Sequence, residues 1–172
     1  HNYAKFVKFA SPCQIIGRKE RDMSQIVIPN DIFFANLIDE LGASGHVLLN
    51  VKGYSMFPFF RNEKDAALLR PFEPSAGLKR GDVALFRFHG KYILHRCTGK
   101  AASAYLFQGD GNCKGTEWAA PEDVLAVVEK RIAPSDKEWS CSSFSWKLCS
   151  ALWPKTYIVR RLLLGVLRRI YK

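Results

Sequence analysis

Between residues 23 and 133 the apolar positions gather into short runs broken by turn residues, and the period of each run predicts its element. Asn30-Asp31 followed by IFFANLIDEL predicts a capped amphipathic helix, with Ile32, Phe33, Leu37 and Leu41 on one side and Gly42 as its stop. HVLLNV (46–51) reads as a strand that runs into Gly53-Tyr54-Ser55-Met56. Beyond Pro58, AALLRP (66–71), DVALFRF (82–88), KYILHRC (91–97) and AYLFQG (104–109) read as further short strands, and DVLAVVEKRI (123–132) as a closing one. Turn chemistry separates them at Glu73-Pro74-Ser75, His89-Gly90 and Gly109-Asp110-Gly111-Asn112. Connections this short favour antiparallel pairing. The centre is therefore expected to be mainly β, a coiled antiparallel sheet or partial barrel behind an N-terminal helix.

The pattern changes after residue 133. Ser140–Ser145 reads as a small-polar linker, and Trp146–Trp153 is aromatic and apolar. Pro154 is placed to start a helix. Within 155–172, Ile158, Val159, Leu162, Leu163, Val166, Leu167 and Ile170 recur at helical spacing, with Arg161, Arg168 and Lys172 opposite. This basic amphipathic helix fits two roles: an anchor lying on anionic lipid, or a helix folded onto its own domain with a solvated cationic face. The three tryptophans 139, 146 and 153, spaced by seven, point to helix packing or membrane-interface contacts. The expected division is an appendage over 1–22, a catalytic domain over 23–133 and a basic aromatic helical extension over 134–172. Met23 stands just ahead of the first good element, so residues 1–22 are expected to lie outside the core, even upstream of the natural start.

Charge sharpens this division. The net charge is +10, yet residues 23–130 hold twelve basic and twelve acidic side chains, so the basicity belongs to the ends. A balanced centre without aromatic-basic interleaving argues against a nucleic-acid surface, and no nucleic-acid partner is expected. The five cysteines are an odd number without a C-x-x-C pair, which excludes a zinc-type spacing and makes a disulfide framework unexpected. The uncharged runs reach eleven residues (41–51), short of the roughly 18 that cross a bilayer. A cytoplasmic protein, or one peripheral to the cytoplasmic membrane, is the expectation.

A serine hydroxyl becomes a useful nucleophile when a base takes its proton and oriented donors meet the developing oxyanion. Ser55 follows Gly53 at the end of a predicted strand, where a flexible turn exposes it. His95 lies within a predicted strand, sharing one face with Ile93 and Cys97 while Leu94 and Arg96 take the other. Either residue alone is commonplace; the order of the motifs around them is not.

Gly53-x-Ser55-Met56-x-Pro58 resembles the nucleophile box of the type I signal peptidase and LexA-like serine peptidase superfamily. Asp65, within Arg61-Asn-Glu-Lys-Asp65, takes the place of that family's R-x-G-D aspartate, with Lys64 where the family has glycine. Lys79-Arg80-Gly81-Asp82-Val83-Ala84-Leu85-Phe86 is similar to its GD-strand, Tyr92-Ile93-Leu94-His95-Arg96 to the box carrying the general base, and Gly109-Asp110-Gly111-Asn112 to its GDN box. All five stand in family order between residues 47 and 130. Histidine before arginine in the base box resembles the endoplasmic-reticulum and archaeal subtype rather than the lysine-base enzymes. The swap is chemically sound, because neutral imidazole already has a pKa near the right range whereas lysine must be desolvated.

The resemblance implies a serine endopeptidase that cleaves precursor or leader peptides, with Ser55 as nucleophile and His95 as general base. Asp110 is the candidate third member; its plainer role is an Asx turn capping Gly111-Asn112, and Glu117 is a substitute. Gly53, Ser55 and Met56 form the expected nucleophile turn and oxyanion hole, in which the Ser55 N–H supplies most of the donation because Gly53 has no hydroxyl. The family mode of binding implies a peptide added as a strand beside 48–54 and 92–95, with Leu49, Val51, Tyr54 and Ile93 as substrate-binding residues. The chemistry requires no metal and no cofactor. No stretch of the family's membrane-anchor kind precedes Ser55, which favours a peripheral maturation peptidase acting on a peptide or preprotein in trans. The rival reading keeps the fold as an idle binding or regulatory module. Cys97 has no neighbour in sequence that would activate a thiolate.

Overall fold

The structure, a computed structural model, describes residues 3–4, 28–153 and 157–170. The remaining residues of the predicted 1–22 appendage, and Met23, lie outside these; within it, β1 (Tyr3–Ala4) pairs antiparallel with β2 (Ile28–Pro29). Helix α1 (Asn30–Ser44) follows directly. It buries Phe34, Leu37 and Leu41, a stripe at helical spacing, whereas Ile32 is 55% exposed. The expected inward place of Ile32 is thus corrected: it sits two positions before Phe34, and so on the opposite side of the helix. The predicted stop is corrected as well. The helix runs through Gly42 and ends at Gly45, whose φ of 73° and N–H bond to Leu41 O close the last turn.

The strands β3 (Val47–Asn50), β4 (Ala66–Pro71), β5 (Val83–Phe88), β6 (Lys91–Lys100), β7 (Tyr105–Gln108), β8 (Glu117–Ala119) and β9 (Val124–Ile132) form an antiparallel sheet in the order β3-β4-β9-β5-β6-β7-β8. β10 (Glu138–Ser140) completes the eight strands by pairing with Lys130–Ile132 of β9, while Val124–Val127 of that strand pairs with β5 along the same ladder system. Register shifts interrupt β4 at Leu68/Leu69, β5 at Leu85/Phe86 and β6 at Cys97/Gly99. Each irregularity bends its strand and steepens the local twist.

Apolar side chains cover both faces. On one, Phe34, Leu37 and Leu41 of α1 meet Leu49, Val51, Met56, Phe59, Phe60 and Leu85; on the other, Phe86, Phe107, Tyr105 and Val127 pack together. Two helices follow the sheet, α2 (Phe144–Leu152) and α3 (Tyr157–Ile170). The serine stretch expected as a linker contains the start of α2, since Ser143 accepts from Trp146 N as its N-cap. Trp146 is 2% exposed and belongs to the first core, packing edge-on against Phe59 and Phe60. Among the described residues no helix is long and apolar enough to cross a membrane.

Candidate active site

Strand β3 ends at Asn50, and the chain reverses through a loop fixed by main-chain bonds of Val51 N to Asp65 O and Glu63 N to Val51 O. Within the loop, Asn62 Oδ1 accepts from Gly53 N at 2.6 Å. Ser55 then opens a tight turn closed by Phe60 N donating to Met56 O, with Met56, Phe57, Phe59 and Phe60 all buried beneath it. The apolar residues after the serine anchor the turn in the core, which leaves Ser55 half-buried and Tyr54 62% exposed at the surface.

His95 comes from the middle of β6, opposite Ala84 of β5, and is 4% exposed. Its Nδ1 lies 3.0 Å from Glu117 Oε2, on β8. A carboxylate accepts only, so in a neutral ring the proton sits on Nδ1 and the lone pair is on Nε2. That nitrogen points at Gly109. A Cβ at Gly109 would lie 2.8 Å from His95 Nε2, 2.5 Å from Ser55 O and 2.8 Å from Asn112 Nδ2. The imidazole and the nucleophile turn are therefore separated by less than one methyl group. The neighbouring Gly111 donates to Ser55 O at 2.7 Å, and its own missing Cβ would clash with Tyr54 O. The Gly109–Asn112 turn is thus wedged between His95 and the turn that bears Ser55, and only glycine fits at both contacts. Among the described residues, no hydrogen bond joins the Ser55 hydroxyl to the ring and no acceptor takes the Ser55 N–H.

Asp110 is elsewhere. Its carboxylate accepts from Arg96 Nε at 2.8 Å and from Arg96 Nη2 at 2.7 Å, a buried two-point pair. The same guanidinium donates to Gly81 O and Ser150 Oγ at 2.8 Å and stacks 4.4 Å over the Phe59 ring. The expectation that Asp110 holds the imidazole is corrected: Glu117 does so. Strand alternation is the reason, since Arg96 and its partner lie on the face of β6 opposite His95. No family model matches the chain, and no curated protein shows significant similarity to it.

Of the predicted substrate-binding residues, Leu49 and Val51 are core residues, 9% and 6% exposed, so their side chains line no groove. The alternation of β3 points them inward. Tyr54 is free at the surface, and Ile93 is half-buried against the second core. What these strands leave open is main chain. β3 pairs with β4 alone, and Lys91–His95 pair with β5 alone because β7 joins β6 only from Arg96 onward, among the described residues.

Other candidates are structural. Asp82 accepts from Lys79 N at 2.8 Å in its turn. Asp65, 1% exposed, accepts from Arg61 N, from the Arg61 guanidinium and from Arg131 of β9. Burial would raise its pKa, but these donors outweigh burial and hold the carboxyl below its ordinary value. Burial pushes the Cys97 thiol up to about 11 and Cys141 up to about 12, the opposite of an activated nucleophile. A cavity of about 510 Å³ lies on the Arg96 side, bounded by Arg80, Arg96, Asp110, Trp153 and Arg160 rather than by Ser55 and His95.

Proposed function

We propose that the chain is a serine endopeptidase of the signal-peptidase and LexA-like fold, in which Ser55 is the nucleophile, His95 the general base and Glu117 the residue that orients it. One observation carries this reading: an imidazole anchored through Nδ1 turns its Nε2 toward the turn that bears Ser55, across a glycine that cannot be larger. The Ser55 Oγ–H bond breaks as the proton moves to Nε2 and Oγ bonds to the scissile carbonyl carbon. The oxyanion meets the unengaged Ser55 N–H. The imidazolium then returns its proton to the departing amine as the C–N bond breaks, leaving an acyl-enzyme. Water, deprotonated by the same ring, releases the acid. Glu117 stabilises the imidazolium and fixes its tautomer.

The substrate in this reading is an extended precursor or leader peptide bound along the main-chain edges at Leu48–Leu49 and Lys91–His95, which no other strand of the described residues occupies. The resemblance further implies small side chains ahead of the scissile bond. The test is cleavage of a peptide library, read by mass spectrometry, together with labelling by a fluorophosphonate. Both signals are expected for the wild type, lost in Ser55→Ala and reduced at least ~10³-fold in His95→Ala. Labelling that persists in Ser55→Ala would overturn the assignment.

A second reading, an idle binding module of the same fold, draws on the missing hydrogen bond between the hydroxyl and the ring. Unliganded catalytic contacts are often long and tighten only around substrate, so this favours neither outcome by itself. Peptide binding without cleavage or labelling, in wild type and Ser55→Ala alike, would select it.

A further inference from the structure

Helix α3 turns its cationic seam, not its apolar side, toward the domain. Arg160 Nη1 donates to Asn112 O at 2.9 Å and Arg168 Nη2 donates to Gly111 O at 3.2 Å. Leu164, four residues from each and so on the same seam, is 2% exposed. The opposite side carries Ile158, Val159, Leu162, Val166 and Ile170, each between 52% and 69% exposed. At helical spacing these five form one aliphatic strip, broken toward its C-terminal end by the exposed Arg169, while Arg161 lies on the side nearer the docked seam. Leu163, beside the strip, borders an apolar recess of about 380 Å³ shared with Phe59, Trp153 and Leu152, the last itself 73% exposed.

Scattered surface leucines are ordinary, but a contiguous apolar strip on a helix already docked by its other side marks a surface that something covers. Charge says what. Residues 153–172 carry six lysines and arginines and no aspartate or glutamate. A protein partner's interface would be matched by mixed charge at its rim. An anionic bilayer takes aliphatic side chains at the acyl boundary and uniform positive charge at the headgroups, the combination found here.

We propose that α3 docks the protein on an anionic lipid surface, with Ile158, Leu162, Val166 and Ile170 in the interface and Arg169, on the same side, extending its guanidinium to headgroup level. The helix lies flat rather than spanning. Its inner seam grips two successive carbonyls of the Gly109–Asn112 turn, so the turn stands about one helix diameter, roughly 10 Å, above the lipid.

The test is co-sedimentation of the full chain with vesicles of phosphatidylcholine alone or with about one third phosphatidylglycerol. Binding is expected to be at least ~10-fold tighter to the anionic vesicles and to weaken steeply with salt. Replacing Ile158, Leu162 and Val166 by Gln, all at exposed positions, should weaken it by more than ~10-fold. Arg169→Gln should cost roughly 5-fold. Equal affinity for the two vesicles, or undiminished binding of the triple variant, overturns the proposal. So does concentration-dependent self-association in ultracentrifugation that the triple variant abolishes, since a second copy would then cover the strip. The measurement does not read cleavage, so it stands or falls separately from the peptidase reading.

Discussion

His95 and Arg96 are adjacent in sequence and opposite in role, because consecutive side chains of β6 point to opposite faces of the sheet. The imidazole meets Glu117 on one face, and the guanidinium meets Asp110 on the other. Each acid therefore has its own test. Glu117→Gln leaves an amide whose carbonyl still accepts but whose charge no longer supports an imidazolium, so turnover in the cleavage assay is expected to fall by about 10²–10⁴ while the melting temperature changes little. Asp110→Asn strips the counter-charge from a buried Arg96, and the expected loss is in stability, about 3 kcal/mol in urea unfolding. A Glu117→Gln variant that cleaves peptide as fast as the wild type would sink the proposed orienting role. The alternation that separates the two acids was already present in Ile93-Leu94-His95-Arg96-Cys97. What the sequence ranked wrongly was the partner: it put Asp110 ahead of Glu117, because Glu117 sits on a three-residue strand too short to show by periodicity that it faces His95.

At the scale of elements, the site is two turns pressed together. The nucleophile turn gives its Ser55 carbonyl to Gly111, and the Gly109–Asn112 turn gives up two Cβ atoms to make room. Gly111→Ala puts a methyl into Tyr54 O, a backbone atom that cannot swing aside, so both stability and cleavage are expected to drop, stability by about 2 kcal/mol or more. Gly42→Ala is the matched control. It lies inside α1 with nothing within 4 Å of the new Cβ, and thermal unfolding should show it neutral to about 1 kcal/mol more stable. A Gly111→Ala protein as stable and active as wild type would mean that the turns are not pressed as described. The strands that were legible were the ones with four or more alternating or apolar residues: β3, β4, β5, β6, β7 and β9 all fall inside the predicted runs or within three residues of them. β8 and β10 were not, and α2 was masked by its serine-rich N-cap. For α3 the sequence defined two faces and left open which of them docks; the answer, the arginine side, depends on carbonyls at Gly111 and Asn112 that belong to a turn far away in the chain.

Across the whole molecule, long-range polar ties and one aromatic cluster join the site to the rest. Phe59, four residues after Ser55, is ringed by Trp139, Trp146 and Trp153 at centroid distances of 6.3, 5.3 and 5.6 Å, and Trp153 Nε1 donates to Asp110 O. The region after residue 133 is in this way built into the packing under the site. The counterpart on the other side of the loop is Asp65, which binds Arg61 of the nucleophile loop and Arg131 of β9. Its folded pKa lies below the 3.8 usual for an aspartate. Taking that value for the unfolded chain, the unfolded state binds the proton more readily, so the stability Asp65 supplies is complete above the unfolded value and is lost as pH falls below it toward the folded one. Asp65→Asn should therefore cost about 3 kcal/mol at neutral pH, by leaving two arginines facing a neutral amide. In urea titrations the gap between wild type and variant should narrow as the solution is taken below about pH 4, because the wild-type carboxyl is then protonated too. A gap that stays constant down to about pH 2 would show that Asp65 stabilises the loop by shape alone and not by its charge.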